Sequence, residues 1–556
     1  MTKLIAGILL CFLLVPITVC ADEYFEARLD QGLRTSEAQS YALIEKARAN
    51  RTDASALLHQ AEKYSPNLPA VFFEMAKANF TFSYEGVLAS VNDVVKGFNA
   101  YTRNFLWALT FACNVYFGLL VSFFLCAAVI VGLRTVNDFP LLGHELRESG
   151  SRALLLTALI VLSAMSPLLL VGGMMVLLGV SMRRMDKAVV IVILVALAAS
   201  PFLFRTATLL FNGFTSGQFR AVVEANESKG NLYALTALGE QHKSYERFSH
   251  ALALKRTGRY DEAIAIYRSL LEQQQDPKVC VNLGNCYLAL NRPEEALAMY
   301  EKAIELRPLA SAYYNHSQVS RELLQFEKGD EYFKKALEID RSAVSAYRDI
   351  AGRSPNRLVV DETLSFEELW QILRTQPVRT TLFGMSLVTD WVIACVAVLL
   401  IVGFWFLSGR RGKPAVRCKR CGLIFCPKCE KGITWGGMCA QCFRSLVKLE
   451  ELEVKERVAQ LLEIYESQRK RRMLLRILSF GIPGAAQVFG GKVLFGFLLM
   501  WPFLFFASLP VMNTVFGRGG GPAMHGFLTG FALVCAGAVY LCALIITRQR
   551  ISKGWL

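Results

Sequence analysis

Charged residues are scarce in this sequence, and their scarcity argues against an ordinary soluble protein. Asp, Glu, Lys and Arg make up 19% of the 556 residues and hydrophobic residues make up 53%, whereas a soluble domain has about 25% charged residues. Motifs of common enzyme classes are also missing. The sequence contains no G-x-x-x-x-G-K-[ST], H-E-x-x-H or G-x-S-x-G, and its six histidines are scattered. We therefore expect an integral membrane protein that is not an enzyme.

Apolar runs of membrane-spanning length occupy much of the chain. They lie at 105–133, 153–181, 188–211, 387–407, 488–512 and 526–546. Ionisable residues are nearly absent from these runs, and Arg205 lies near the end of its own. Transporters and proton pumps usually place charged groups at mid-membrane depth, so a transport role is disfavoured. The sequence predicts a multi-pass protein of the cell inner membrane, in contact with the lipid bilayer.

The net charge of +15 is concentrated in one segment. Residues 408–476 hold 17 Lys and Arg against 7 Asp and Glu, directly after an apolar run. A basic segment beside a membrane span is typical of a cytoplasmic flank. A nucleic-acid-binding protein would instead place its basic excess on a folded soluble face. We therefore expect no nucleic-acid partner.

The N-terminus has the features of a secretory signal. Lys3 precedes an apolar run, and Val19 and Ala21 are small enough for cleavage after residue 21. Residues 1–21 are therefore predicted to be a signal peptide, with an uncleaved anchor as the alternative. In either case the helical, repeat-like domain expected at 22–104 begins outside the cytoplasm, ahead of transmembrane or re-entrant helices at 105–212.

Residues 220–350 contain an internal repeat with a period of 33 residues. Three sets of residues follow this spacing: Ala263, Ala296 and Gly329; Tyr267, Tyr300 and Phe333; Leu271, Ile304 and Leu337. The middle unit resembles the tetratricopeptide repeat at Leu283, Gly284, Tyr287, Ala296, Tyr300, Ala303 and Pro308. Repeats of this length stack into a solenoid because each unit buries its apolar face against its neighbours. The predicted fold is mainly α: a polytopic helical membrane protein with a tetratricopeptide-repeat α-solenoid and a small zinc-binding module.

The resemblance implies a protein or peptide ligand on the concave face of the solenoid. The first helix of each unit is expected to line this face with Asn282, Asn285, Ala289, Asn315 and Arg321. A closing helix or linker is expected at 351–380, where Ser365 and Glu368 have the spacing of a capping box. A membrane-spanning helix at 387–407 follows.

Three C-x-x-C pairs lie within the module predicted at 416–443. Their cysteines are Cys418, Cys421, Cys426, Cys429, Cys439 and Cys442. Such pairs supply thiolates to a tetrahedral metal, so structural zinc is predicted; dithiol redox chemistry at Cys426 and Cys429 is the alternative.

The segment also resembles the second half of a FYVE-type zinc finger. That resemblance implies one site made of Cys418, Cys421, Cys439 and Cys442. The first C-x-x-C pair of the family is missing, which leaves the ligands of the middle pair open. The lipid-binding basic-histidine motif of the family is absent too, so phosphoinositide binding does not carry over.

The orientation of the chain follows from these assignments. Reduced thiolates persist in the cytosol, so the zinc module and the charged helix at 444–473 are placed there. A C-terminal transmembrane pair at 474–547 follows and contains a glycine-rich P-G-x-x-Q motif at its start. For the solenoid to be periplasmic, the run 153–181 must not cross the membrane. Ser166-Pro167 divides this run into two short halves, so a re-entrant hairpin is expected.

Two functions remain. In the first, the protein is a membrane-anchored scaffold whose solenoid and zinc module bind other proteins and assemble an envelope complex. In the second, it is a subunit of an envelope machine for polymer synthesis or export, either non-catalytic or with an unrecognised catalytic site.

Overall fold

The computed structural model describes most of the chain and is mainly helical where described, as predicted. It describes residues 25–30, 32–50, 52–149, 152–239, 243–353, 358–376, 389–410, 416–418, 421–425, 438–439, 442–443, 454–518 and 524–553. The signal peptide predicted at 1–21 lies outside these residues. The chain divides into two compact units. The first comprises Met1–Phe111, Asn212–Gln376 and Gly520–His525, and the second comprises Ala112–Phe211, Pro377–Gly519 and Gly526–Leu556.

The first unit begins with a small all-helical domain. Its helices are Glu37–Ala49, Ala54–Tyr64, Pro69–Asn79 and Tyr84–Arg103, followed by the start of the long helix Phe105–Ser149. Proline opens the third helix, where a missing N–H does no harm. Ser83 caps the fourth by accepting a hydrogen bond from the backbone N–H of Gly86.

A residue from far along the chain completes this domain. The Nε2 atom of His525 lies 2.9 Å from Oε1 of Glu74, and the imidazole stacks on the ring of Phe73. Burial raises the pKa of the Glu74 carboxyl. The hydrogen bonds from His525, Arg48 and Lys77 outweigh burial, however, and hold this pKa well below its usual range.

The rest of the first unit is a solenoid of antiparallel helices. Its repeat helices are Ser244–Arg256, Tyr260–Gln273, Pro277–Ala289, Pro293–Leu306, Ala310–Glu322 and Phe326–Ile339. Helices Gly217–Asn226 and Leu232–Ala237 precede them, and Arg341–Arg353 and Phe366–Thr375 follow. The capping box predicted at the last helix is present, since the side chain of each partner bonds the backbone N–H of the other.

Small residues let the two helices of a repeat approach closely. A Cβ atom added to Gly284 would lie 2.6 Å from Cε1 of Tyr300 and 3.1 Å from the carbonyl oxygen of Ala296. Tyr300 and the equivalent Tyr267 are fully buried. The 33-residue pattern therefore encodes the interior of the solenoid, as the sequence predicted.

The second unit holds the apolar helices. Its helices and strands are the remainder of Phe105–Ser149, then Arg152–Met165, Pro167–Gly179, Lys187–Ala198, Ser200–Thr215, Asp390–Arg410, the strands Val416–Arg417 and Ile424–Phe425, and Val454–Gly481, Ala485–Phe489, Val493–Arg518 and Gly526–Ser552. Among the described residues, four helices are long and apolar enough to cross a membrane: Phe105–Asp138, Asp390–Gly409, Val493–Gly517 and Gly526–Ser552. A bent pair, Lys187–Ala198 and Ser200–Thr215, makes up to five.

Two of the predicted runs are interrupted by proline. The run at 153–181 forms two helices that fold back on each other. Their close approach is evident at Gly173, where an added Cβ atom would lie 2.6 Å from Cδ1 of Leu162. In a straight helix these residues would stand about 16 Å apart. The run at 188–211 is not a single straight helix either. It bends by 59° before Pro201, which has no N–H to continue the helical ladder.

The glycine-rich motif makes a tight contact near the C-terminus. Gly484 has φ +85°, and an added Cβ atom would lie 2.3 Å from the carbonyl oxygen of Gly496. The side chain of Gln487 is buried and donates to Oγ1 of Thr547 at 2.5 Å. These glycines therefore allow a close approach of the two backbone segments.

Candidate functional site

The asparagines predicted to line the solenoid come together inside it. Asn282 and Asn285 lie on one face of the helix Pro277–Ala289, and Asn315 lies on the first helix of the next repeat. All three side chains are buried. They contact an extended segment of the same chain, residues 358–364. We call the surface that these asparagines line the groove, and residues 358–364 the groove segment.

Two of the asparagines bind the main chain of the groove segment at alternate residues. Asn315 accepts from the N–H of Val360 at 2.9 Å and donates to its carbonyl oxygen at 2.8 Å. Asn282 makes the same pair of bonds with Glu362, both at 2.9 Å. An amide side chain can satisfy both main-chain groups of an extended residue at once. The groove therefore binds backbone groups that every sequence presents.

Asp361 lies between these two residues and extends into the repeat interior. Its carboxylate forms an ion pair with Lys255, lies 3.6 Å from Nε of Arg256 and accepts from Nδ2 of Asn285 at 2.9 Å. The side chain is 0% exposed. A buried carboxylate is tolerated only where cations and hydrogen-bond donors surround it. This position is therefore specific for an acidic side chain.

Further contacts hold the groove segment on both sides of Asp361. The side chain of Val360 packs in a small apolar cluster with Tyr314, Ala336 and Val344. In the other direction, the hydroxyl of Ser311 donates to the carboxylate of Glu362. The groove thus offers an apolar pocket, a deep acidic position and a second acidic position at its rim.

The groove segment leads into the capped helix Phe366–Thr375. Lys278 donates to the carbonyl oxygen of Thr363 at 2.9 Å and to Oε2 of Glu368 at 2.6 Å, while Asn226 accepts from the N–H of Leu364. Burial raises the pKa of Glu368, but the bonds from Lys278 and from the N–H of Ser365 lower it further than burial raises it. The ion pair between Lys278 and Glu368 therefore holds the closing helix against the groove.

The remaining predicted ligand-binding residues have other surroundings. Ala289 is exposed and lines a cavity of about 480 Å³ beside Asn285 and Asp361. Arg321 pairs with Asp330 at 2.8 Å, and its guanidinium lies over the ring of Phe333. Arg321 therefore contributes to contacts within its own repeat.

Sequence reasoning missed the basic residues of the groove and the groove segment itself. No motif singles out Lys255, Arg256 or Lys278 among the residues of the repeat helices. The groove segment lies within the stretch 351–380 that is predicted to be a closing helix or linker. The signal in the sequence is the pair Asp361-Glu362 within an otherwise apolar stretch, but pairing it with the basic residues requires the fold.

The second candidate site is a cluster of four cysteines. The Sγ atoms of Cys418, Cys421, Cys439 and Cys442 all lie within 4.8 Å of one another. Those of Cys421 and Cys439 are 3.7 Å apart, close to the separation of about 3.8 Å that tetrahedral zinc with Zn–S bonds of about 2.3 Å requires. Cys426 and Cys429 lie outside the described residues.

Local backbone structure positions these thiols. The strands Val416–Arg417 and Ile424–Phe425 pair antiparallel, and Gly422 between them has φ +82°. The N–H of Cys439 points at the sulfur of Cys418, at 3.3 Å. Burial raises the pKa of Cys421 to about 11 and that of Cys442 further still. Four thiols held this close favour a divalent cation, which would stabilise their deprotonated forms. The residues present therefore fit a metal.

Comparisons with known proteins identify the repeats. Tetratricopeptide-repeat family models match residues 250–278, 277–308 and 310–342. The chain therefore contains three tetratricopeptide repeats, which indicate a protein-interaction scaffold. These matches do not extend to the cysteine segment, so they do not support the FYVE-type resemblance. The structure nevertheless groups the same four cysteines that the resemblance implied.

A curated relative matches a short part of the chain. The chain is 37% identical over 70 residues to the mitochondrial import receptor subunit TOM70 of Saccharomyces cerevisiae, in strain YJM789 and in strain ATCC 204508 / S288c. The match covers 11% of this chain and 11% of each relative. The chain thus spans about one-ninth of the length of the curated relatives it matches.

Proposed function

We propose that this protein is a membrane-anchored scaffold that captures an extended segment of another protein in the groove of its solenoid and has no catalytic activity of its own. One observation carries the proposal: the groove already holds an extended polypeptide through its main chain, with Asn282 and Asn315 each making a pair of bonds. Main-chain bonds supply affinity and side-chain pockets supply specificity in this mode of recognition. The receptor name of the relative that matches 70 residues of the chain agrees with a protein-capturing role.

The membrane arrangement is supported by the make-up of the first compact unit. The chain leaves this unit after Phe111 and returns at Asn212, then leaves after Gln376 and returns at Gly520. If the whole unit lies on one side of a bilayer, each stretch of chain between two of its parts, 112–211 and 377–519, crosses the membrane an even number of times. The first stretch meets this condition if the hairpin 152–179 is re-entrant, since its arms of 14 and 13 residues are shorter than the ~20 needed to span.

Orientation follows from charge and thiol chemistry. Arg410 and the basic residues after it favour a cytoplasmic cysteine module, which places the solenoid in the periplasm of an inner-membrane protein. Cys280 and Cys286 of the solenoid are fully buried. Burial raises their pKa to about 11 and about 12. Because the thiolate is the reactive form, these two residues resist oxidation there.

The cysteine module would hold a structural zinc ion. Zinc bound by all four thiolates would have no open coordination position, which is the pattern of a structural site. The module and the charged helix that follows would dock a second partner in the cytoplasm. The protein would thus hold together components on both faces of the membrane.

Photocross-linking tests the proposal. A photoreactive amino acid at Ala289, exposed beside the groove, should cross-link a partner protein in cells. The same residue at the exposed Glu294, on the second helix of the repeat, serves as the matched control. Replacing Asn282 and Asn315 together by leucine should abolish the Ala289 cross-link. If the same protein is cross-linked with or without these asparagines, the groove is not the recognition element.

A further inference from the structure

We infer that the groove selects an extended segment of the form apolar–Asp–Glu, and that the groove segment is a tethered copy of this ligand that an incoming partner must displace. The inference rests on the proposed function and adds the chemistry of the partner and the control of access to it. The three positions correspond to Val360, Asp361 and Glu362.

Each of these positions makes different contacts in the groove. Val360 occupies the apolar pocket, and both of its main-chain groups are bound by Asn315. Asp361 meets two basic side chains and the amide of Asn285 in a fully buried position. A neutral residue there would leave the largely buried ammonium group of Lys255 without its counter-charge. The central aspartate is therefore the main determinant of specificity.

Two of the three groove asparagines also form hydrogen bonds within the repeats. Oδ1 of Asn285 accepts from the hydroxyl of Tyr300 at 2.7 Å and from Nδ2 of Asn315 at 3.0 Å. Tyr300 is itself fully buried in the repeat core. The repeats thus orient Asn285 and Asn315, and these two side chains would keep a bond to each other if the groove segment left.

Main-chain groups of the groove segment bond to side chains of the surrounding helices. The carbonyl oxygens of Val360, Glu362 and Thr363 accept from asparagine or lysine side chains, and the N–H groups of Val360, Glu362 and Leu364 donate to asparagines. A tethered ligand has an effective concentration of the order of 1 mM. A partner carrying the same sequence must therefore be abundant locally, bind more tightly, or act after the groove segment is released.

Peptide binding to the full-length protein in detergent tests the inference. The probe is a fluorescent peptide with the sequence of residues 357–365, RLVVDETLS, and binding is followed by fluorescence anisotropy. Asp361→Ala in the protein weakens the binding of the groove segment to the groove and leaves the groove residues unchanged. We expect this variant to bind the probe at least tenfold more tightly than the wild type. The matched control, Glu367→Ala at an exposed acidic residue nearby, should behave as the wild type.

Specificity and displacement are checked in the same system. A probe with alanine at the position of Asp361 should bind the Asp361→Ala variant at least tenfold more weakly. A second opening variant, Glu362→Pro, removes the N–H that Asn282 accepts and should also increase binding. In the wild type, which needs no substitution to be folded, millimolar unlabelled peptide should accelerate hydrogen exchange in residues 358–364.

Opposite results would overturn the inference. If both opening variants keep wild-type helix content without gaining affinity, and the peptide leaves exchange in the wild type unchanged, the groove segment is a fixed part of the solenoid. A cross-link at Ala289 together with these results would refute the inference alone. Absence of a groove-dependent cross-link would refute the proposed function.

Discussion

Replacing Asn315 by alanine should release the groove segment locally. The substitution removes three hydrogen bonds, two to the main chain of Val360 and one to Asn285. Asn285 keeps its bond from Tyr300, but the N–H of Val360 loses its partner. The carbonyl oxygen of Val360 keeps only the bond from Asn285. A buried polar group left unpaired costs about 1–3 kcal/mol.

The rate of hydrogen exchange measures this cost. Taking about 2 kcal/mol for the N–H and the weakened carbonyl together, the opening equilibrium shifts about 30-fold, since 1.4 kcal/mol is about tenfold. Exchange of the amides in 358–364 should therefore accelerate by about 30-fold in the full-length protein, because exchange from a locally opened state follows its population. Exchange in the helix Pro293–Leu306 should change little.

Two comparisons make the measurement decisive. Asn99→Ala, at an exposed position of the N-terminal domain, should leave exchange in 358–364 unchanged. If the amides of 358–364 exchange at the unprotected rate in the wild type, the bonds to the asparagines do not hold the segment in solution. If they are protected but insensitive to Asn315→Ala, the groove contacts contribute no stability and the reasoning from unsatisfied groups is wrong.

Three further predictions concern the metal, the membrane and pH. Purified protein should carry about one zinc per chain by elemental analysis, and Cys418→Ser should lose it while Cys395→Ser, outside the cluster, should not; metal in both variants would refute the site. A membrane-impermeant thiol reagent applied to whole cells should label Glu327→Cys on the solenoid above the wild-type background but not Lys455→Cys, and the reverse pattern would place the cysteine module outside. Because the pKa of Glu74 is lowered on folding, its contribution to stability is present above the ordinary carboxyl pKa of about 4.5 and is lost as pH falls below it. The thermal midpoint should therefore drop between pH 5 and pH 3 by less in Glu74→Gln than in the wild type, and equal drops would contradict this.

Much of the architecture is encoded in local sequence patterns. The 33-residue spacing of small and aromatic residues such as Ala296 and Tyr300 predicted the repeats, because the close approach of two helices requires a small residue at a fixed distance from a large one. The grouping of Cys418 and Cys421 with the distant pair followed from a resemblance in their spacing. The capping box at Ser365 was readable because it involves residues three positions apart.

The bends and breaks within the apolar runs were harder to predict from the sequence. Hydropathy located the run at 188–211 but not its bend, although Pro201 marked a possible break. Proline interrupts the ladder of helical hydrogen bonds, and packing determines whether the helix kinks or continues. The run at 153–181 is broken by the same kind of residue into two short helices, as Ser166-Pro167 indicated, and its re-entrant placement stays a prediction.

What the sequence determined by itself was the set of parts: apolar helices, a repeat solenoid and a cysteine cluster. What only the tertiary structure decided was that the groove of the solenoid holds residues 358–364 of the same chain. Asn282 and its bonding partner Glu362 are 80 residues apart, and no periodicity connects them. The pairing depends on the stacking of the repeats, which brings Lys255, Asn285 and Asn315 around one buried position where only an acidic side chain is stable.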